Sequence, residues 1–273
     1  EWLAYAVRVV HRELHSQVYM DGAYKELSNH YQKIAMDGAF KFLDLVSGAS
    51  NETGDLQQVL ARMMDYFVRV ANPAGFGPLN NDCDEEHNAR LARAWMPKLG
   101  NLTRPEWEYF LSDGLKGDAS AWEAPHSLFF PYSGHAVMRS NIGHASRMYA
   151  LFDVGPHGQA HQHDDRLHLS VFFEKDILVD SGRFVYKAGE EKAYHHGIAG
   201  HNMLLVNRQQ PTPPPDEVLK PLPAVHAVQA DHDFFQAENV FGSHHRHARA
   251  VVHARHRLWL VHDYVWCPSR RPT

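Results

Sequence analysis

The chain has 273 residues, 44% hydrophobic and 22% charged, with a formal net charge of -5. That composition supports a buried core and excludes a disordered tail, a fibre or a disulfide-stapled miniprotein. No apolar run approaches the roughly 18 residues of a membrane span, and at a pI near 6.5 with no long Lys/Arg run no nucleic-acid partner is expected.

From Glu1 to about Val70 apolar residues recur at three and four: Leu3, Val7, Val10 and Leu14, then Ile34, Phe40, Leu43 and Val46, then Leu56, Leu60, Met64 and Phe67. That period predicts helices, broken by turn chemistry at Met20-Asp21-Gly22, at Ser47 to Asn51 and at Asn72 to Pro78. Further helices are predicted over Asp84 to Trp95 and Arg104 to Ser112. After Pro125 the texture changes to short β-rich runs: Ala136 to Met138, Met148 to Phe152, Leu167 to Phe173, Ile177 to Val179, Met203 to Val206 and Val251 to Val265. Helices followed by strands argue for two stacked domains, a helical one over 1–122 and an antiparallel β-domain over 123–273. The proline-rich stretch Gln210 to Pro223 is expected to be an exposed loop, and the chain reads as a piece of a longer protein. Cys83 and Cys267 share no motif spacing, so neither a disulfide framework nor a CxxC metal site is indicated.

Of the 22 histidines only His11, His15, His30 and His87 precede His126. The densest group is Gly155 to Leu167, which contains His161, His163, Asp164 and Asp165. In an extended segment residues two apart point the same way, so His161 and His163 should share a face. A second element, Ile177-Leu178-Val179-Asp180-Ser181-Gly182, ends an apolar strand on a carboxylate, and a third, Ala199-Gly200-His201-Asn202, precedes the Met203 to Val206 run. Imidazole and carboxylate groups from adjacent strand ends suit zinc or iron(II) with positions left open. A histidine taken singly is more often a hydrogen-bonding strand-end residue, and His226, His232, His244, His245, His247, His253, His256 and His262 follow no ligand spacing and are expected on exposed strands and loops.

The order HxHxDRL, apolar strand, VDxGRxxY, then His-Asn opening another run resembles the β-domain of the heparinase II/III-like polysaccharide lyases, a family that includes alginate and oligoalginate lyases. The likeness is carried by residues 135 to 210. In the helical half, "MDGAYKELSNHYQKIAMDG" resembles the family's DGxxxExSxxYH segment, with Asp21, Gly22, Glu26, Ser28 and Tyr31 in place and Gln32 where the last histidine would fall. The resemblance implies the C-terminal part of an (α/α) toroid followed by an antiparallel β-sandwich. It implies a lyase that cleaves an acidic, uronate-containing polysaccharide or oligosaccharide by β-elimination in the periplasm or after secretion. It also implies a metal, usually zinc, on His163, Asp180 and His201, either ordering the cleft floor or acting as a Lewis acid, with His161 near the substrate. Asn29, His30 and Tyr31 are candidates for binding the uronate carboxylate or moving the proton, and Tyr186 has a family counterpart near the substrate. The sequence departs from the family in the loop "GPLNNDCDEEHNAR", which carries no tyrosine where related lyases place a catalytic one, and Asn80 is the residue expected there. Two other readings remain: a non-catalytic glycan-binding module, which the missing tyrosine favours, and a metal-dependent oxygenase or hydrolase, which has no need of the DGxxxExSxxY helix.

Overall fold

The computed structural model describes residues 1–46, 54–118, 126–143, 147–206, 211, 219–241, 245–255 and 257–267. The predicted helical half forms α1 (Trp2–Gln17), α2 (Asn29–Val46), α3 (Gly54–Arg69), α4 (Asn88–Trp95) and α5 (Pro105–Leu111). Their apolar stripes converge on one core around Met36, Phe40, Leu60, Met64, Phe67, Trp95 and Trp107. The α4 helix starts later than the sequence pattern suggests. Its N-cap is His87, whose ring nitrogen accepts the Arg90 N–H, because Asp84 and Glu86 are spent on side-chain pairs outside the helix.

The Asp21-Gly22 turn between α1 and α2 is built for close approach. Gly22 has φ +91°, and a Cβ there would sit 2.1 Å from the Arg62 carbonyl oxygen of α3, so only glycine fits. Gln32 then fastens the turn: its side chain accepts the Tyr24 N–H and donates to the Gly22 and Met63 carbonyls. An imidazole has too few hydrogen-bonding groups for all three, which gives a physical use to the one residue that leaves the DGxxxExSxxYH pattern.

The β-half is two antiparallel sheets. The first runs β1 (Leu128–Phe130), β2 (His135–Ser140), β3 (Met148–Asp153), β4 (Leu169–Phe173) and β5 (Lys175–Leu178) in sequence order. The second runs β6 (Val225–Val228), β7 (His232–Phe241), β8 (His245–Ala254) and β9 (Leu258–Trp266), also in sequence order. Between β5 and β6 lies one short helix, α6 (Glu190–His196). One face of the first sheet packs on the second sheet through Met138, Ala150, Phe152, Leu169, Phe235 and Val251. Its other face packs on the helices through Val137, Tyr149, Leu151 and Phe172 against Tyr19, Tyr66 and Val70. Covered on both sides, β2 and β3 are buried at every position, which is why their sequences read as runs rather than as alternation. In contrast β7 and β8 alternate, as expected of a sheet with one solvated face.

Two expectations are corrected. Met203 to Val206 is not a strand: the Asn202 side-chain amide takes the Leu169 and Val179 carbonyls, and of the segment only Val206 is buried. His247 and His253 are not exposed but face inward between the sheets, each fully buried on a carboxylate: His247 on Asp263 at 2.6 Å and His253 on Asp233 at 2.8 Å. Arg249 of β8 turns inward with them onto Asp263, and Arg255, just past β8, pairs with Asp233. His244, His256 and all of 210–223 except 211 and 219–223 lie outside the described residues.

The two halves are stapled at Asp21. One of its carboxylate oxygens accepts the backbone N–H groups of Tyr132 and Ser133, at 2.9 and 2.8 Å, in the turn between β1 and β2.

Candidate functional site

The loop 79–86 is threaded between the start of α2, the His161 to His163 segment and the Asp180 to Arg183 segment. Its backbone and side chains are held from all three sides. Ser28 Oγ donates to the Asp82 carbonyl, the Asn81 amide donates to the Leu27 carbonyl, and Asn81 Oδ1 accepts the His163 N–H at 2.7 Å. The Arg183 N–H donates to the Cys83 carbonyl. Three non-glycine residues adopt positive φ where these segments meet: Leu27 (52°), Asn81 (62°) and His161 (59°). Such conformations are costly and persist where surrounding contacts over-determine them, a pattern concentrated at functional sites.

Asp82, which is 3% exposed, is the hub. Its Oδ2 lies 3.0 Å from His161 Nδ1, and its Oδ1 lies 3.2 Å from both His163 Nε2 and His196 Nε2. His161 and His163 therefore meet on one carboxylate rather than through strand alternation, since neither belongs to a strand. Burial pushes the Asp82 carboxyl up, but hydrogen bonds from His161 and His163 outweigh it and hold the group below the usual range. For His163 burial wins: its imidazole is lowered to about 4, with the Asp82 contact opposing only in part. A neutral imidazole is the ligand form.

Behind this hub lie Asp180 and His201. Asp180 Oδ2 is 2.9 Å from His201 Nδ1 and 3.3 Å from His168 Nδ1, while Oδ1 accepts the Gly182 N–H. Burial opposes the Asp180 charge, but His168 and His201 prevail and hold its carboxyl at about 2. His163, Asp180 and His201 are all buried, and one ligand atom from each lies within 4.8 Å of the others. His163 Nδ1 and His201 Nε2 are buried without hydrogen-bond partners. Orphaned imidazole nitrogens beside an ionised carboxylate are what a borderline divalent metal would satisfy, so the donor set fits zinc.

On the solvent side of the hub, Tyr31 stacks on His161 with ring centroids 3.8 Å apart and meets His30 edge-on at 5.3 Å. The Tyr31 and Tyr186 hydroxyls are 2.9 Å apart. The Arg183 guanidinium lies 4.0 Å from the Tyr186 ring centroid and pairs with Asp84. His30 Nδ1 is 2.9 Å from Glu86 Oε1. Burial first, then the Tyr186 hydrogen bond, pushes the Tyr31 phenol well above its ordinary range. His30, Tyr31, His161 and Tyr186, predicted from separate segments, thus form one cluster at the junction of the two halves. Tyr186 lies in an irregular, exposed segment and not in a hairpin.

Asn29 does not join them. It is 5% exposed and exchanges two hydrogen bonds of 2.8 Å with the Asn88 side chain; a Cβ on Gly77 would lie 2.2 Å from its amide nitrogen, so the pair is packed against bare backbone. Asn80 also points inward, donating to Asp153 at 3.2 Å while 1% exposed. The loop therefore offers the cluster carboxylates, not a phenol or an amide at position 80. Sequence reasoning missed Asp82 and His196. The sole signal for Asp82 was the acidic run Asp82, Asp84, Glu85, Glu86, and for His196 a His-His pair ending a polar helix.

A helical half whose DGxxxExSxxY turn is stapled to a two-sheet β-domain with a buried His/Asp group has the architecture of heparinase II/III-like proteins. The chain belongs to that family: the Heparinase II/III-like, C-terminal model matches residues 123–272, and the Heparinase II/III N-terminus model matches residues 1–99. A curated relative, a heparin-sulfate lyase of Bacteroides stercoris, is 24% identical over 218 residues, covering 76% of this chain and 32% of that protein. Among solved structures, a heparinase III superposes with a TM-score of 0.80 at 22% identity over 95% of this chain and 41% of its own. The heparan sulfate lyase HepC from Pedobacter heparinus does so with a TM-score of 0.78 at 20% identity, over 94% of this chain and 40% of its own. The chain thus spans 32% to 41% of the length of these relatives.

Proposed function

We propose that this chain carries the reaction centre of a polysaccharide lyase that cleaves a uronic-acid-containing glycan by β-elimination. The observation that carries the reading is the Tyr31–His161 stack with Tyr186 hydrogen-bonded to the same phenol. The reaction removes the C5 proton of a uronate and expels the oxygen at C4, so it needs a base, an acid and a cation for the charge that builds on the carboxylate. Tyr31, whose proton is held tightly, suits the acid that caps the leaving oxygen. His30, with Nδ1 on Glu86, presents its other nitrogen as base, in the manner of a carboxylate-oriented imidazole. Arg183 and His161 face the position of the uronate carboxylate. Asn29 acts from behind, setting the pitch of α2 through Asn88 rather than touching substrate. His163, Asp180 and His201 would hold zinc, which supplies Lewis acidity and cross-links the segments that carry His161 and Arg183. A polymeric acidic substrate suits a periplasmic or secreted protein.

The test is incubation with alginate, heparan sulfate, hyaluronan and related polymers while the ultraviolet absorbance of the unsaturated product is followed. Appearance of that product on at least one uronate polymer is the expected result. Saturable binding without product would favour the second reading, a glycan-binding module, which the buried Asn80 in place of a loop tyrosine supports.

A further inference from the structure

The histidines around the hub extend past the three-ligand set. Asp82, His163 and His196 form a second group whose ligand atoms lie within 4.8 Å of one another, sharing His163 with the first. Asp82 Oδ1 stands 3.2 Å from both imidazole Nε2 atoms, and the His163 and His196 rings lie 4.2 Å apart. His196 Nε2 is shielded from solvent, and its 3.2 Å approach to Asp82 Oδ1 does not have hydrogen-bond geometry. A purely hydrogen-bonded network would not leave it so, because an unsatisfied buried polar atom is costly. His163 is itself 1% exposed, and its ring has one nitrogen toward Asp82 and the other, Nδ1, unpartnered.

The bearer of His196 is as informative as the ring. The α6 helix has no buried residue, so it is not anchored in the core. Its attachments are the Asp164 N–H donating to the His196 carbonyl at 2.8 Å and the stacking of His195 on Phe184 at 5.0 Å. Yet its last residue reaches the hub that also orients His161.

We propose that Asp82, His163 and His196 form a second position for a divalent ion of the zinc class, beside the His163–Asp180–His201 position, and that an ion held there latches α6 onto the cleft. Carboxylate and imidazole are the donors such ions take at about 2.0–2.2 Å, and here they lie within 4.8 Å of one another. His163 is common to both groups, so filling both positions at once would take one ring nitrogen for each and displace the ring proton. Metal binding then fixes the wall of the cleft as well as its floor.

The test uses metal-stripped protein titrated with cobalt(II), followed by visible absorption and elemental analysis. Wild type is expected to take up two equivalents and His196→Ala one, with the remaining equivalent lost in His201→Ala. His232→Ala, on the exposed Asp231–His232 pair, serves as the control for surface histidines and keeps both. Chelation should expose residues 189–196 to a protease, and metal should restore protection in wild type but not in His196→Ala. Saturation of wild type at one equivalent, with a superimposable His196→Ala titration, would overturn the second position while leaving the His163–Asp180–His201 site and the lyase reading intact. No uptake at all would overturn both metal positions, and product formation on uronate polymers would still report separately on the lyase reading.

Discussion

Tyr31 and Tyr186 stand 155 residues apart in the chain, and their hydroxyl oxygens are 2.9 Å apart in the structure. One comes from the first turn of α2 and the other from the irregular segment after β5, so the pair exists only when the two halves are docked. Removing either hydroxyl removes an acid or its partner without touching the core. Tyr31→Phe is expected to lower kcat about 10²-fold or more, the usual scale for a lost general acid, and Tyr186→Phe less. Thermal midpoints should stay near wild type in both, because neither ring is buried. A Tyr31→Phe protein with unchanged kcat would remove Tyr31 from the chemistry.

The buried His/Asp group predicts a different signature. His163→Ala and His201→Ala each remove a candidate ligand, and His201→Ala also takes from Asp180 its partner at 2.9 Å. Elemental analysis should find bound zinc reduced, and the melting temperature should fall toward that of chelated wild type, because ligand binding to the native state alone is stabilising. Tyr31→Phe should retain its metal. If wild type and His201→Ala melted together with and without chelator, this group would not be a metal site.

Asp21 predicts how the halves are joined. Its carboxylate takes two backbone N–H groups of the β1–β2 turn, and Asp21→Ala leaves both without that acceptor. A loss of about 1 kcal/mol in chemical denaturation is expected, the net scale of a hydrogen bond at a partly exposed site. Activity should fall as well, although Asp21 touches no candidate catalytic residue, since the Tyr31–Tyr186 contact depends on docking.

Much of this was legible in the sequence, and the misses share one cause. Helices α1 to α3 announced themselves by their apolar period, and the grouping of His163, Asp180 and His201 was implied by the motif order that resembles the family. What local pattern cannot report is what lies opposite. His247 and His253 look like polar surface until β9 and β7 supply Asp263 and Asp233. Asp82 looks like one more loop acid until three histidines from 79 or more residues away close on it. Met203 to Val206 has strand propensity, but the side chain of Asn202 takes the carbonyls a paired strand would need. In each case a tertiary partner overrode a local signal.

The two cysteines should separate cleanly by reactivity. Cys83 is buried in the 79–86 loop, with its sulfur receiving the His30 N–H at 3.2 Å, and burial pushes its thiol up to about 12. Cys267 is exposed. Since the thiolate is the reactive species, native protein should titrate one fast thiol with a disulfide reagent and a second only on unfolding. Mass mapping should place the first label on Cys267. Prompt labelling of Cys83 in native protein would mean that the loop opens on the timescale of the assay and that the hub built on it is not rigid.

The last expectation concerns Asp165, which is fully enclosed, has one carboxylate oxygen without a partner and sits near the charged Asp153. Burial first and then Asp153 raise its carboxyl well above the usual range, so the folded chain keeps a proton that the unfolded chain gives up. With folded affinity for the proton above unfolded, this group favours the fold fully below the unfolded value of about 3.9 and loses that contribution as pH rises toward the folded one. Asp165→Asn keeps the shape and removes the titration. In chelated protein, where no metal charge intervenes, its melting temperature should exceed that of wild type at pH 7 and converge with it near pH 4. A variant less stable than wild type at pH 7 would show that Asp165 is ionised in the fold and held by a cation.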